Sequence, residues 1–403
     1  MKILRIIARL NVGGPARHVV WLTQAFQDEE FQTTLVAGSV PPGEDDMSYF
    51  AKEHGVEPVY LREMSREISF SDIGSLIKLV RLIKLEKPDI IHTHTAKAGT
   101  LGRAAGLLYR WLTWKSLIGR PRKVKFVHTF HGHVFHSYYS STKTRIFLLI
   151  ERLLARVATD KIVVLSNQQF EEIHLKFGVG RSDQFAVVPL GIDITTFEPA
   201  TDASPRLRDQ FGAKDGETVI GFVGRLTEIK NIPLLLRSAA LLRNRPVRYV
   251  IVGDGHLRAD LEAQLQALNI SDRVILVGNR ADIMELYNGL DIVALTSLNE
   301  GTPLSLIEGM AAGKPVVSTG VGGVRDLLGD ALESKDGFTV CSRGIRVESF
   351  EPADFARALE YMLDNIDARN GLAVRGRDLI RTSFSKERLL TDIKTLYRGL
   401  YSE

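Results

Sequence analysis

Short apolar, β-branched runs recur at 3–8, 34–37, 90–93, 125–129, 162–165 and 186–188, each followed by a helical period or a turn. Such runs, separated by amphipathic stretches, predict a parallel sheet with helical crossovers. The pattern breaks across 189–205, where Pro189, Gly191, Asp193, Pro199, Ser204 and Pro205 cluster. It restarts at 218–223, 248–252, 274–277, 292–295 and 315–318, with helices predicted over 233–242 and 256–268. The reading is two doubly wound α/β domains, 1–195 and 196–383, facing each other across a cleft. Ligands of open α/β sheets lie beyond the carboxyl ends of the strands, so function is sought in the loops that follow strands.

Composition leaves this picture intact. The 403 residues are 44% hydrophobic and 25% charged, enough apolar matter for two ordinary cores. The longest apolar runs, 2–8 and 146–150, fall far short of the roughly 20 residues that span a bilayer, and no signal-peptide pattern opens the chain. A cytoplasmic protein is expected. The lone cysteine, Cys341, forms no internal disulfide and reads as a filler near a strand end.

Charge changes the picture more. The net value is +4, but residues 1–200 carry +6 and residues 201–403 carry −2. Residues 90–150 contain no acidic side chain and ten basic ones, among them Lys97, Arg103, Arg110 and Lys115. Such a face seeks an anionic partner. Trp111 and Trp114, two of the three tryptophans, stand among leucines beside Arg110 and Lys115, the composition of an interfacial membrane anchor. The plainer alternative is a core helix followed by a solvated basic loop. No nucleic-acid recognition module accompanies the charge.

Three loops carry candidate chemistry. Gly13-Gly14-Pro15 follows the first strand and enters a helix, with Pro15 suited to the first helical position and free amides for a phosphate. Gly224-Arg225-Leu226-Thr227-Glu228-Ile229-Lys230 follows the first strand of the second domain, and its Arg225 and Lys230 suit a diphosphate. In the third, Glu300-Gly301-Thr302-Pro303-Leu304-Ser305, Thr302 reads as an N-cap, Pro303 as the first helical residue and Gly313 as the stop of a helix of about three turns. The amides of Leu304 and Ser305 then lie at the positive helix end. Glu300 and Glu308 suit vicinal hydroxyls, one set on a sugar and one on a ribose.

The Gly13-Gly14 loop, Gly224-Arg225-Leu226-x-x-x-Lys230 and Glu300-x₇-Glu308 resemble the retaining GT-B glycosyltransferases of family four. The segment His92-Thr93-His94-Thr95-Ala96-Lys97-Ala98-Gly99 with Gly102-Arg103 is similar to members that build surface polysaccharides. The resemblance runs from residue 2 to about 397, and it implies a GT-B architecture whose C-terminal helix, 384–403, crosses back to the first domain. It implies that Gly13, Gly14, Arg225 and Lys230 hold a nucleotide diphosphate, UDP first, and that Glu308 binds the ribose. Glu300 then meets the donor sugar, and Gly253, Gly301, Thr302, Pro303, Leu304 and Ser305 complete the donor site. His131 is implied as the hydrogen-bond donor to the sugar, and Gly278-Asn279-Arg280 as the base-contacting turn. Asn231 and Gly309 depart from the usual glycine and alanine without removing a functional group, and Thr302 replaces a frequent aromatic, a change that bears on the shape of the donor-sugar pocket.

His128, His131, His133 and His136 invite a metal reading, but the segment has no carboxylate to balance the charge, and none is expected. His133 and His136 read as acceptor contacts. His92 and His94 are taken to alternate along the strand end, so that one of them, His94, faces the acceptor. The acceptor and membrane side is expected to use His94, Lys97, Arg103, Trp111, Trp114 and His133.

The implied reaction is retaining transfer of a hexose or N-acetylhexosamine from a nucleotide diphosphate sugar to a lipid-linked or saccharide acceptor at the inner membrane surface, with no cofactor. Arg225, Lys230, Glu300 and His131 are its expected catalytic residues. Rival readings are a nucleotide-sugar epimerase on the same architecture and a non-catalytic nucleotide-sugar-binding partner. A dinucleotide oxidoreductase lacks its Gly-x-Gly-x-x-Gly fingerprint.

Overall fold

A computed structural model describes residues 1–11, 13–40, 46–61, 63–64, 71–132, 141–197, 203–280 and 282–402. The chain divides into two compact units, Met1–Leu190 with Leu389–Glu403, and Gly191–Arg388.

The first unit holds β1 (Lys2–Ile7), β2 (Gln32–Gly38), β3 (Val59–Leu61), β4 (Ile90–His94), β5 (Lys125–Thr129), β6 (Lys161–Val164) and β7 (Phe185–Val187). Their order is β3-β2-β1-β4-β5-β6-β7, with every neighbouring pair parallel. Helices cover both faces, which is why β1 after Lys2 and the whole of β4 are buried, the polar Arg5, His92, Thr93 and His94 included. The chain winds outward from β1 to β3 and then returns to β4 on the other side of β1. That reversal makes the carboxyl ends of β1 and β4 the switch point where such sheets bind ligands.

The C-terminal helix, Lys386–Ser402, belongs to this unit over most of its length. Leu389, Ile393, Tyr397 and Leu400 recur at helical spacing and pack with Ile3, Phe26, Phe31 and Val127.

The second unit holds β8 (Thr218–Val223), β9 (Val247–Val252), β10 (Val274–Gly278), β11 (Ile292–Leu295), β12 (Val316–Thr319), β13 (Ala331–Lys335), β14 (Phe338–Cys341) and β15 (Ile345–Val347). The order is β10-β9-β8-β11-β12-β15-β14-β13, so the winding reverses between β8 and β11. The three edge strands, which the sequence reading did not include, form antiparallel pairs β13–β14 and β14–β15. Cys341 ends β14 and is fully buried in the core.

Two helix starts fall one residue from expectation. The first-loop helix is Gly14–Ala25, with Pro15 second rather than first. The helix after Glu300 is Leu304–Ala311, and Pro303, not Thr302, is its N-cap at φ −73° and ψ 112°. It makes about two turns rather than three, because it starts a residue late and ends at Ala311, with Ala312 as its C-cap before the expected stop at Gly313, φ +71°.

Candidate active site

In the second unit the strand ends bring four loops together. Gly224 donates its amide to the Val252 carbonyl at 2.9 Å, and Gly253 donates to the Gly278 carbonyl at 2.9 Å, so the ends of β8, β9 and β10 lie side by side. Gly253 has φ +127°, and a Cβ there would stand 2.0 Å from the Gly224 carbonyl oxygen, so only glycine allows this approach. Beyond Gly224 the Arg225 guanidinium is exposed, with no ion-pair partner among the described residues. Lys230 closes a short 3₁₀ turn, Glu228–Lys230, and Asn231 follows at φ +44° before the helix Ile232–Leu241.

Lys230 and Glu300 meet. Lys230 Nζ lies 2.5 Å from Glu300 Oε1, and Ser297 Oγ donates to the same oxygen at 2.6 Å. The two loops are also tied through backbone: Leu298 N donates to Ile229 O at 2.8 Å, and Thr296 Oγ1 to Lys230 O at 3.0 Å. This fastens a cation and a carboxylate at the switch point between β8 and β11.

Glu308 is buried on the following helix, held against the sheet by Leu306, Ile307 and Met310. The Tyr287 hydroxyl lies 3.0 Å from Glu308 Oε2 and 3.2 Å from the Ser305 carbonyl. The amides of Leu304 and Ser305 begin the helix and therefore have no intrahelical acceptor. The Thr302 hydroxyl is inaccessible to water and has no hydrogen-bond partner among the described residues. Sequence reasoning missed the loop that walls this corner: Gly323 N donates to the Gly301 carbonyl at 2.8 Å, and a Cβ on Gly323 would stand 2.0 Å from that oxygen. Its signal was the glycine pair Gly322-Gly323 following a strand.

Of the base-contacting turn, Asn279 is exposed. The Arg280 guanidinium is already committed, at 2.7 and 2.5 Å to the two carboxylate oxygens of Asp282. That hydrogen-bonded pair raises the arginine's pKa and lowers the aspartate's.

The first unit gathers histidines at its own switch point. His18 lies on the helix that follows Gly13-Gly14, His94 ends β4 and His131 follows β5. His94 Nδ1 and His131 Nε2 are 2.9 Å apart, and the His18 ring stands 4.9 Å from that of His131. His92 does not alternate with His94 as expected: residues two apart on a strand share a face, and the two rings lie 4.2 Å apart. Thr95, next in the chain, takes φ +70°, a strained conformation for a β-branched residue.

Beneath them lies Arg5, fully buried, with no carboxylate partner among the described residues. Its Nη1 lies 3.2 Å from His92 Nδ1 and donates to the Tyr397 hydroxyl at 3.0 Å. His92 Nε2 in turn reaches Thr129 Oγ1 at 2.7 Å. The arginine donation leaves Nδ1 as acceptor and so puts the His92 proton on Nε2. Tyr397, far away in sequence on the C-terminal helix, was not singled out as part of this chain.

One nitrogen each of His18, His94 and His131 lies within 4.8 Å of the others, a spacing that could hold a metal. Arg5, bonded to the adjacent His92, adds a positive charge that bears on His94 and disfavours a dication there. Burial first, then the neighbouring histidines and Arg5, depresses the His94 pKa well below 6.5, and burial alone takes His131 down to about 3.

A pH dependence follows. The unfolded chain protonates His131 near 6.5 and the folded chain only near 3, so in between the unfolded state binds more protons. Stability therefore falls as pH drops through that window, by about 1.4 kcal/mol per pH unit for each such group. Urea unfolding of His131→Asn from pH 7 to pH 5 should show a shallower loss than wild type. Equal slopes would mean that His131 is not held neutral.

Two sequence expectations for the basic segment need correction, and two fall outside the described residues. Arg103 is not on an acceptor or membrane side: it is 1% exposed, and its Nη2 lies 2.7 and 2.6 Å from the oxygens of buried Glu151. Lys97 is likewise buried, 2.7 Å from Asp72. Their partners come from outside residues 90–150, so the absence of acids within that stretch did not make all its cations free. His133 and His136 lie outside the described residues. Trp111 and Trp114 are exposed.

The family described as Glycosyl transferases group 1 matches residues 203–378, and Glycosyltransferase Family 4 matches residues 12–196. The Escherichia coli protein named UDP-Gal:alpha-D-GlcNAc-diphosphoundecaprenol alpha-1,3-galactosyltransferase is 30% identical over 92% of this chain and 89% of its own. The Staphylococcus aureus capsular polysaccharide biosynthesis glycosyltransferase CapM is 24% identical over 87% of this chain and 88% of its own. The Anabaena Alr3699/HepE structure, solved with UDP, superposes with a TM-score of 0.79 at 22% identity, covering 100% of both chains. Two Rossmann-like units in one chain define the GT-B fold. The chain belongs to the group 1, family 4 glycosyltransferases, and its activity is sugar transfer.

Proposed function

We propose that this glycosyltransferase moves a hexose or N-acetylhexosamine from a UDP-sugar to the saccharide of a polyprenyl-diphosphate-linked acceptor in surface polysaccharide assembly. Transfer retains anomeric configuration and needs no metal ion. The observation that carries the reading is the Lys230–Glu300 pair, set beside the start of the helix that bears Glu308.

Negative charge builds on the departing diphosphate as the sugar bond breaks. Arg225, Lys230 and the amides of Leu304 and Ser305 offer two cations and a helix start for that charge, the work a metal ion does elsewhere. Glu308, oriented by Tyr287, accepts hydrogen bonds from the ribose hydroxyls, and Glu300, oriented by Ser297 and Lys230, from the sugar. Glu300 is ion-paired to Lys230 of the neighbouring loop and Glu308 is buried behind Tyr287. We therefore assign neither as nucleophile, and the leaving phosphate takes the acceptor proton. In the first unit, neutral His131, partly exposed, serves as a hydrogen-bond partner for sugar hydroxyls, and His94, expected to face the acceptor but fully buried, holds it at 2.9 Å. Exposed Trp111 and Trp114 rest at a lipid headgroup surface, which suits an acceptor anchored in a bilayer. The named activity of the Escherichia coli relative, on a diphosphoundecaprenol-linked sugar, supports this acceptor class.

Thermal unfolding with UDP, GDP, ADP and NAD tests the donor assignment. UDP alone should raise the melting temperature, by the equivalent of about 2.7 kcal/mol at a hundredfold excess over its Kd. Stabilisation by NAD only, or by none of the four, overturns it. Interconverted sugar nucleotide in the absence of acceptor would instead favour an epimerase.

A further inference from the structure

The helix Ser141–Val157 has two apolar faces, and one of them is buried against the described residues. Phe147, Leu154 and Ala155 are buried, with Glu151 beside them on Arg103. On another side Ile146, Leu149, Leu153 and Val157 are 48–63% exposed. At about 100° per residue these four fall within an arc of about 80°. Arg145, Arg152 and Arg156, all exposed, form a row along one edge of that arc. The helix carries a single carboxylate, Glu151, and it is buried.

The stripe continues onto neighbouring surface. Arg156 and Val157, at the helix end, share a depression with Arg110, and Arg110 shares the next one with Trp111, Arg122 and Lys123. The acids along this path have partners: Asp160 Oδ2 is 3.8 Å from Arg110, Asp183 pairs with Arg181 at 3.1 Å, and Asp89 accepts from the Lys2 amide at 2.8 Å and the Tyr401 hydroxyl at 3.3 Å. Arg152 keeps its charge exposed while its Nε donates to the Phe177 carbonyl at 2.8 Å.

We propose that this outward face is a lipid-docking surface, with Ile146, Leu149, Leu153 and Val157 entering the headgroup layer of an anionic bilayer and Arg145, Arg152 and Arg156 on its phosphates. An apolar stripe edged by arginines is the pattern of a helix lying in a membrane interface. A second copy fits less well, because antiparallel pairing would bring three arginines against three with no exposed carboxylate on either helix. The surface deepens the membrane contact proposed above and rests on that reading's acceptor class, but not on the identity of the donor.

Flotation of the full chain tests it, with vesicles of phosphatidylcholine alone and of phosphatidylcholine mixed with phosphatidylglycerol. Wild type should float with the anionic vesicles and lose binding as salt rises. Leu149→Asp/Leu153→Asp should bind them at least tenfold more weakly. Arg145→Gln/Arg156→Gln should lose roughly fivefold per arginine. Both variants should keep the wild-type circular dichroism and UDP response, so that loss of lipid binding is distinguished from loss of fold or of the donor site. Wild-type binding by a folded Leu149→Asp/Leu153→Asp overturns the proposal. So does sedimentation in which wild type is a dimer and that variant a monomer, which would make the face a self-association surface. Failure of UDP to stabilise wild type would sink the donor assignment and leave this result standing.

Discussion

Lys230→Ala lowers turnover by roughly two to three orders of magnitude, the loss typical of removing one preorganised group from a developing anion. It also abolishes the thermal stabilisation given by UDP. The ammonium is not a free surface charge. Its backbone is pinned by Thr296 at the Lys230 carbonyl, and its tip lies 2.5 Å from Glu300 Oε1. Alanine leaves that geometry in place, because Ser297 still donates to Glu300 at 2.6 Å and Leu298 still holds the Ile229 carbonyl at 2.8 Å. What is lost is the Lys230 charge beside the Glu300 carboxylate, so at the proposed diphosphate site repulsion adds to the lost attraction. Glu300→Gln separates the two effects: it keeps the cation, so UDP still stabilises the protein while transfer falls. Steady-state rates with UDP-sugar and melting curves with UDP read both variants. Lys230→Ala turning over within fivefold of wild type would mean that other groups carry the leaving charge.

The donor side was legible because its signals are local. A glycine next to an arginine after a strand, a lysine five residues on, and two glutamates, one before and one within a helix capped by Pro303, are all close in sequence, and the winding of the sheet collects loops that follow strands. Their supports were not legible. Tyr287 on Glu308, Ser297 on Glu300 and Gly323 against Gly301 are pairings fixed by packing, and their residue types are common everywhere. The antiparallel edge β13–β15 escaped for another reason: β13 is exposed throughout, so it shows no run of apolar positions. In the first unit the histidine cluster spans three elements, and its floor joins Arg5 to Tyr397 across nearly the whole chain. Period two along β4 would have placed His92 and His94 on one face. Reading them as alternating was an error of counting, and chemistry played no part in it. The basic stretch misled in a more instructive way, since charge density along a sequence says nothing about which cations the fold turns inward.

Arg103 is the case in point, and Arg103→Met should destabilise the first unit by about 3–5 kcal/mol. The guanidinium is 1% exposed and Glu151 is 0%. Beyond the two contacts to that carboxylate, Nε donates to the Gly99 carbonyl at 2.9 Å and Nη1 to Thr159 Oγ1 at 3.3 Å. The pair thus ties the helix Ala96–Trp111 to the helix Ser141–Val157. Methionine fills most of the volume but strands the Glu151 charge in an apolar interior, and that penalty, rather than the lost attraction, dominates. The double variant Arg103→Met/Glu151→Met removes both charges and should recover most of the loss, to within about 1–2 kcal/mol of wild type. A surface cation would behave otherwise: Arg103→Met would cost less than about 0.5 kcal/mol, and the second substitution would rescue nothing. Urea unfolding of wild type, the two single variants and the double variant closes the cycle. A coupling below about 0.5 kcal/mol would return Arg103 to the solvent-facing role its sequence neighbourhood suggested.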